Sequence, residues 1–89
     1  MAERTVTIGS KVGLHARPAS LFVKAAGEAG IPVRIAKEGG SPVDAASILG
    51  VMTLGVKYEE NVVITAEGEG AEQVLDSLAE LLATDLDAQ

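Results

Sequence analysis

Val12-Gly13-Leu14-His15-Ala16-Arg17-Pro18-Ala19-Ser20 carries the only histidine of the 89-residue chain and marks a passage from extended backbone into a helix. Gly13 supplies backbone freedom just before the histidine. Pro18 suits a first helical turn, where the amide it lacks would have no intrahelical partner. Ala19, Phe22, Val23 and Ala26 then recur at i, i+3, i+4 and i+7, the period of an amphipathic helix. The spacing predicts a helix that begins near His15 and ends between Gly27 and Gly30, with Ile31-Pro32 as its breaker. His15 falls at or near the N-cap.

That placement has chemical consequences. A helix N-terminus carries unpaired N–H groups and roughly half a positive elementary charge. Its field disfavours an imidazolium and favours the neutral, nucleophilic ring. An anion attached to that ring would meet free amides, as phosphates do at other helix starts. Arg17 adds a fixed charge and a planar fork of donors suited to phosphate oxygens. The local expectation is a histidine that accepts a phosphoryl group and holds it. Taken alone, the pair has a plainer reading as a polar cap beside a solvated arginine.

Outward from this stretch the pattern alternates between strand and helix periods. Thr5-Val6-Thr7-Ile8 has period two and reads as a strand with Val6 and Ile8 inward. Val33-Arg34-Ile35-Ala36-Lys37 reads as a second strand, and Glu38-Gly39-Gly40-Ser41 as a hairpin-like turn. Pro42-Val43-Asp44-Ala45 makes a short third strand that Pro42 consigns to a sheet edge. Ser47 is a good N-cap and Gly55 suits a C′ position, which predicts a short helix over 48–54. Glu59-Glu60-Asn61 turns the chain into a fourth strand, Val62-Val63-Ile64-Thr65-Ala66, closed by Glu67-Gly68-Glu69-Gly70. Ala71 to about Thr84 is the clearest helix, with Val74, Leu75, Leu78, Leu81 and Leu82 on one stripe. The tail from Asp85 to Gln89 is expected to fray. The order is β-α-β-β-α-β-α, and a sheet with one apolar face needs a covering layer that three helices supply.

Composition narrows the function. Eighty-nine residues predict one domain over 1–89, and 47% hydrophobic residues with one Phe, one Tyr and no Trp predict an aliphatic core. With no cysteine and one histidine, no thiolate or multi-histidine metal site is expected, and no cofactor. The chain shows neither an apolar leader nor a hydrophobic run of spanning length, so a cytoplasmic protein with no membrane insertion is expected. The net charge of −6 divides unevenly: residues 1–37 carry a net +4 and residues 38–89 a net −10. An acidic protein is a poor candidate for nucleic acid, whereas a basic half holding His15 suits acidic protein partners.

Gly13-Leu14-His15-Ala16-Arg17-Pro18-Ala19 resembles the active-site signature of the HPr family, the histidine-containing phosphocarriers of the bacterial phosphoenolpyruvate:sugar phosphotransferase system. Ser47-Ile48-Leu49-Gly50-Val51-Met52-Thr53-Leu54-Gly55 resembles the family's second helix, which begins at a regulatory serine. The likeness in order and spacing runs over nearly the whole chain. It implies an α+β open-faced β-sandwich, four antiparallel strands covered on one face by three helices. It also implies a phosphocarrier rather than an enzyme, and a monomer. Enzyme I, charged from phosphoenolpyruvate, would phosphorylate His15, and the A domain of a sugar-specific enzyme II would receive the group. By the same resemblance Arg17 stabilises the charge, Pro18 sets the first-turn geometry, and the amides of Ala16 and Arg17 receive phosphate oxygens. Ser20, Leu21, Lys24, Ile48, Leu49 and Met52 match docking positions, whereas Val51 and Leu54 match core positions. Ser47 matches the regulatory phosphoserine, which brings in a serine kinase or a transcriptional regulator as further partners.

The sequence departs from the family at three places. Val12 replaces a small polar residue, Ala46 stands where a basic residue often precedes the serine, and Gly30-Ile31-Pro32 holds one residue more. Other readings stay open at this stage. One is the nitrogen-linked paralogue of the same carrier, and another a purely regulatory domain in which His15 is an inert cap. A third is an acylphosphatase-like hydrolase with Arg17 as its phosphate cradle, for which the chain lacks the glycine-rich loop and the water-positioning asparagine.

Overall fold

A computed structural model of the chain describes residues 2–9, 13–14 and 16–84. Its elements are β1 (Ala2–Thr7), α1 (Ala16–Glu28), β2 (Val33–Lys37), β3 (Val43–Asp44), α2 (Ile48–Met52), β4 (Asn61–Ala66) and α3 (Ala71–Ala83). The four strands form one sheet in the order β1-β4-β2-β3, and every neighbouring pair is antiparallel. The expected open-faced sandwich is what the chain forms.

Side-chain alternation decides which face is covered. On β4, Val62, Ile64 and Ala66 are buried, and the register sets Ile64 opposite Arg4 on β1 and Ile35 on β2. With Val6, Val33 and Ile35 they make the sheet's contribution to the core. The helices return Ala19, Phe22 and Ala26 from α1, Val51 from α2, and Ala71, Leu75, Leu78 and Leu82 from α3. Phe22 is fully buried, so the single phenylalanine stands among aliphatic side chains, as the composition implied. The opposite face holds Thr5, Thr7, Val63 and Thr65, mostly β-branched residues that suit a pleated surface without a covering layer.

Several boundaries differ from the periodicity reading for identifiable reasons. Strand β1 begins at Ala2, because residues 2–7 all pair with β4, and Ile8 lies buried just beyond the strand end. Helix α2 is shorter than 48–54: it stops at Met52 with Thr53 as C-cap, and the left-handed residue is Gly55, at φ 63°. The N–H groups of Leu54 and Gly55 donate to Val51 and Met52 carbonyls at 3.2 and 3.4 Å, i→i+3 bonds that tighten the exit. Strand β3 has two residues and forms an edge, with exposed Pro42 just ahead of it. On α3, Leu75, Leu78 and Leu82 are buried, and Val74 and Leu81 pack partly buried against the core. The expected fraying of Asp85–Gln89 lies outside the described residues. Among the described residues, no helix is long and apolar enough to cross a membrane.

Candidate functional site

Helix α1 begins at Ala16, the residue after His15, so the N–H groups of Ala16 and Arg17 are among those that a helix start leaves without intrahelical partners. His15 and Val12 lie outside the described residues, as does the side chain of Ala16. Pro18 is buried in the first turn beside fully buried Ala19, which fixes the start of the helix against the core. Arg17 is exposed, and the ion pairs among the described residues fall on Arg4 and Lys37 rather than on it.

Two stems carry the connection from β1 to α1. Ile8 and Gly9 form the upstream stem. The Ile8 N–H donates to the Glu60 carbonyl at 3.0 Å, and the Gly9 N–H donates to the Leu82 carbonyl at 3.0 Å. A Cβ on Gly9 would collide with the Ala83 carbonyl, so the end of α3 rests directly on this stem. Gly13 and Leu14 form the downstream stem. Gly13 has φ 81°, and a Cβ there would stand 2.6 Å from the Val56 carbonyl oxygen. The Leu14 N–H donates to that same carbonyl at 3.0 Å while its side chain is buried. Glycine is required at position 13 by both its dihedral and its neighbour.

The exposed side of α1 begins with Arg17, Ser20, Leu21 and Lys24, at i, i+3, i+4 and i+7, and continues to Gly27 and Glu28 at the helix end. Helix α2 packs against α1 and exposes Ile48, Leu49 and Met52, while Val51 is fully buried and Leu54 partly so. Leu49 is 78% exposed, a large apolar side chain with little to pack on. Only five residues long, and with Ile48, Gly50 and Val51 lowering its propensity, α2 is held through its cap and its one buried anchor. The Gly50 N–H donates to Ser47 Oγ at 3.2 Å, and the Val51 N–H donates to the Ser47 carbonyl at 2.9 Å. The chain enters this cap through a turn in which the Ala46 N–H donates to Asp44 Oδ1 at 2.9 Å. A cationic helix start and an exposed apolar patch therefore occupy two helices that touch.

One supporting residue escaped the sequence reading. Glu60 Oε1 accepts the Lys57 N–H at 2.8 Å and lies 3.4 Å from Lys37 Nζ, inside the loop that bonds to both stems. The Lys57 hydrogen bond is the largest influence and holds its carboxyl below the usual value; desolvation opposes it, and the Lys37 hydrogen bond and the charges of Lys37 and Lys57 add to the lowering. The available signal was an acidic residue three positions after Lys57 in a tight turn, which also fits a solvated carboxylate. Among the described residues no group of three or more His, Cys, Asp or Glu side chains could hold a metal ion.

Comparison with known proteins gives this arrangement its relatives. The family described as "PTS HPr component phosphorylation site" matches residues 2–84. The phosphocarrier protein HPr of Streptomyces coelicolor is 54% identical over 87 residues, 98% of this chain and 94% of that protein. The crystal structure of a phosphocarrier protein HPr from Bacillus anthracis superposes with a TM-score of 0.85 at 38% identity, covering 91% of this chain and 95% of that one. That of an HPr dimer from Thermoanaerobacter tengcongensis gives 0.68 at 41% identity, covering 91% and 92%.

Proposed function

The chain belongs to the HPr family of phosphocarriers, and from that premise we propose that His15 accepts a phosphoryl group from phosphorylated enzyme I and passes it to the A domain of a sugar-specific enzyme II. The observation that carries this reading is the start of α1 at Ala16, immediately after the only histidine, with Arg17 exposed in the same turn. In the transfer, the lone pair of a ring nitrogen forms a bond to phosphorus as the bond from phosphorus to the donor breaks. The free Ala16 and Arg17 amides and the Arg17 guanidinium supply positive charge where phosphate oxygens would rest, and Pro18 keeps that turn in place. Such chemistry is mostly positioning and electrostatics, so a small carrier suffices. The ring is not a catalyst here, because the carrier ends each half-transfer chemically changed.

Docking falls to the exposed stripe Ser20, Leu21 and Lys24 and to Ile48, Leu49 and Met52, an apolar patch with basic neighbours of the kind that marks interaction surfaces. A phosphate on Ser47 would lie at the cap of α2 beside this patch and switch docking off through charge. The carrier acts as a cytoplasmic, monomeric, single-domain protein in this reading. Incubation with phosphoenolpyruvate and enzyme I should place label on the chain, and addition of an enzyme II A domain should remove it. Charging by a nitrogen-branch enzyme I in preference to the sugar-branch enzyme would move the protein to the paralogous pathway. No label from either would leave His15 an inert cap in a regulatory domain.

A further inference from the structure

One short loop, residues 56–60, grips both stems of the connection that bears His15. Upstream, the Ile8 N–H donates to the Glu60 carbonyl at 3.0 Å and the Glu59 N–H donates to the Ile8 carbonyl at 3.1 Å. Downstream, the Leu14 N–H donates to the Val56 carbonyl at 3.0 Å. Gly13 lies against the same loop, where a Cβ would stand 2.9 Å from Lys57 Cα. The shape of this loop therefore sets how far apart, and at what angle, the two stems stand.

That shape needs holding. Glu59 is the one described residue other than glycine with positive φ, at 66°, a region that side chains disfavour. Glu60 closes the loop twice: its N–H donates to the Lys57 carbonyl at 3.1 Å, and its Oε1 accepts the Lys57 N–H at 2.8 Å. Its carboxylate also reaches Lys37 Nζ at 3.4 Å, at the end of β2, which ties the loop to the sheet. We propose that Glu60 is a positioning residue for phosphoryl transfer: through the 56–60 loop it fixes the two stems that present His15 to its partners. The proposal rests on the carrier reading of His15. Sub-ångström placement of a reacting group matters in such a step, since a misplacement of about 1 Å can cost about a hundredfold in rate.

The test compares full-length wild type, Glu60→Ala and Glu60→Gln. Two readouts are needed: hydrogen exchange at the Leu14 and Glu59 amides, and phosphoryl transfer from enzyme I with its half-saturating concentration. Glu60→Ala should speed exchange at both amides and lower the transfer rate at saturating enzyme I roughly tenfold, with the half-saturating concentration unchanged. Glu60→Gln keeps an oxygen that can accept the Lys57 N–H, so it should restore most of the amide protection and most of the rate. A Glu60→Ala protein that melts earlier yet transfers at the wild-type rate below its melting temperature overturns the proposal, and so does a Gln variant as slow as the Ala variant. Wild type that takes no label at all overturns the carrier reading itself, and the positioning role with it, whereas the other failures leave that reading intact.

Discussion

At the scale of single residues, two side chains outside the phosphoacceptor turn carry separate expectations. Glu60 has its folded pKa lowered from 4.5, chiefly by the Lys57 N–H. A group depressed in this way contributes stability that is complete above its unfolded pKa and is lost as pH falls through the folded value. Exchange at the Leu14 and Glu59 amides should therefore be pH-corrected flat at neutrality and rise modestly, no further than the level of Glu60→Gln, as the pH drops below 4.5. The same profile in Glu60→Gln should lack that step. Ser47 invites a different experiment, because Asp caps helices as well as Ser does. Ser47→Asp should leave the melting temperature close to wild type while slowing transfer from enzyme I at low salt. Raising salt should shrink the deficit, since exposed charges are screened beyond about 10 Å at ~0.1 M ionic strength. A transfer rate indifferent to the substitution at low salt would leave Ser47 as a cap and nothing more.

Elements make the next level, and here legibility in the sequence can be judged. Helix α1, strand β2 and helix α3 were readable because their apolar residues keep one period long enough to bury one face, and the observed spans follow that reading closely. Helix α2 was readable only from Ser47, and its end was misplaced because its length is decided by i→i+3 bonds and by Val51 anchoring in the core. The stem-and-loop support was hard to read, since Gly9, Val56 and Glu60 meet the stems through backbone groups far apart in the chain, and the local tie of the Glu60 carboxylate to Lys57 reads equally as a solvated side chain. Two substitutions probe these elements. Leu49→Asp on α2 should weaken enzyme I binding yet change stability by no more than about 0.5 kcal/mol, as befits an exposed site; a large drop in melting temperature would place Leu49 in the core instead. Gly13→Ala forces a side chain into left-handed backbone and toward the Val56 carbonyl. It should cost at least about 1–3 kcal/mol in denaturant unfolding, and a neutral result would mean that the downstream stem is free to relax.

Over the whole molecule, sheet, helices and site form one chain of dependence. The buried faces of the sheet and helices fix where β1 ends and α1 begins, and the 56–60 loop and the end of α3 hold the two stems, Ile8-Gly9 and Gly13-Leu14, that lie between them. What remains for the exposed surface is polarity: the half of the chain with His15 carries +4 and the remainder −10. Such an arrangement favours encounter with acidic partners and should make transfer slower as salt rises. Antiparallel pairing and strand order were not legible from periodicity, because alternation tells which face is buried but not which strand is the neighbour; the family resemblance supplied the sheet, and the register of β4 between β1 and β2 bears it out. The most direct measurement is phosphorylation by enzyme I and phosphoenolpyruvate of wild type and His15→Ala, followed by acid and base treatment. The account predicts label on wild type that is lost in acid and kept in base, as for a phosphorus–nitrogen bond, and a folded His15→Ala protein with no label. Label that persists on His15→Ala, or that survives acid and is lost in base, would contradict it.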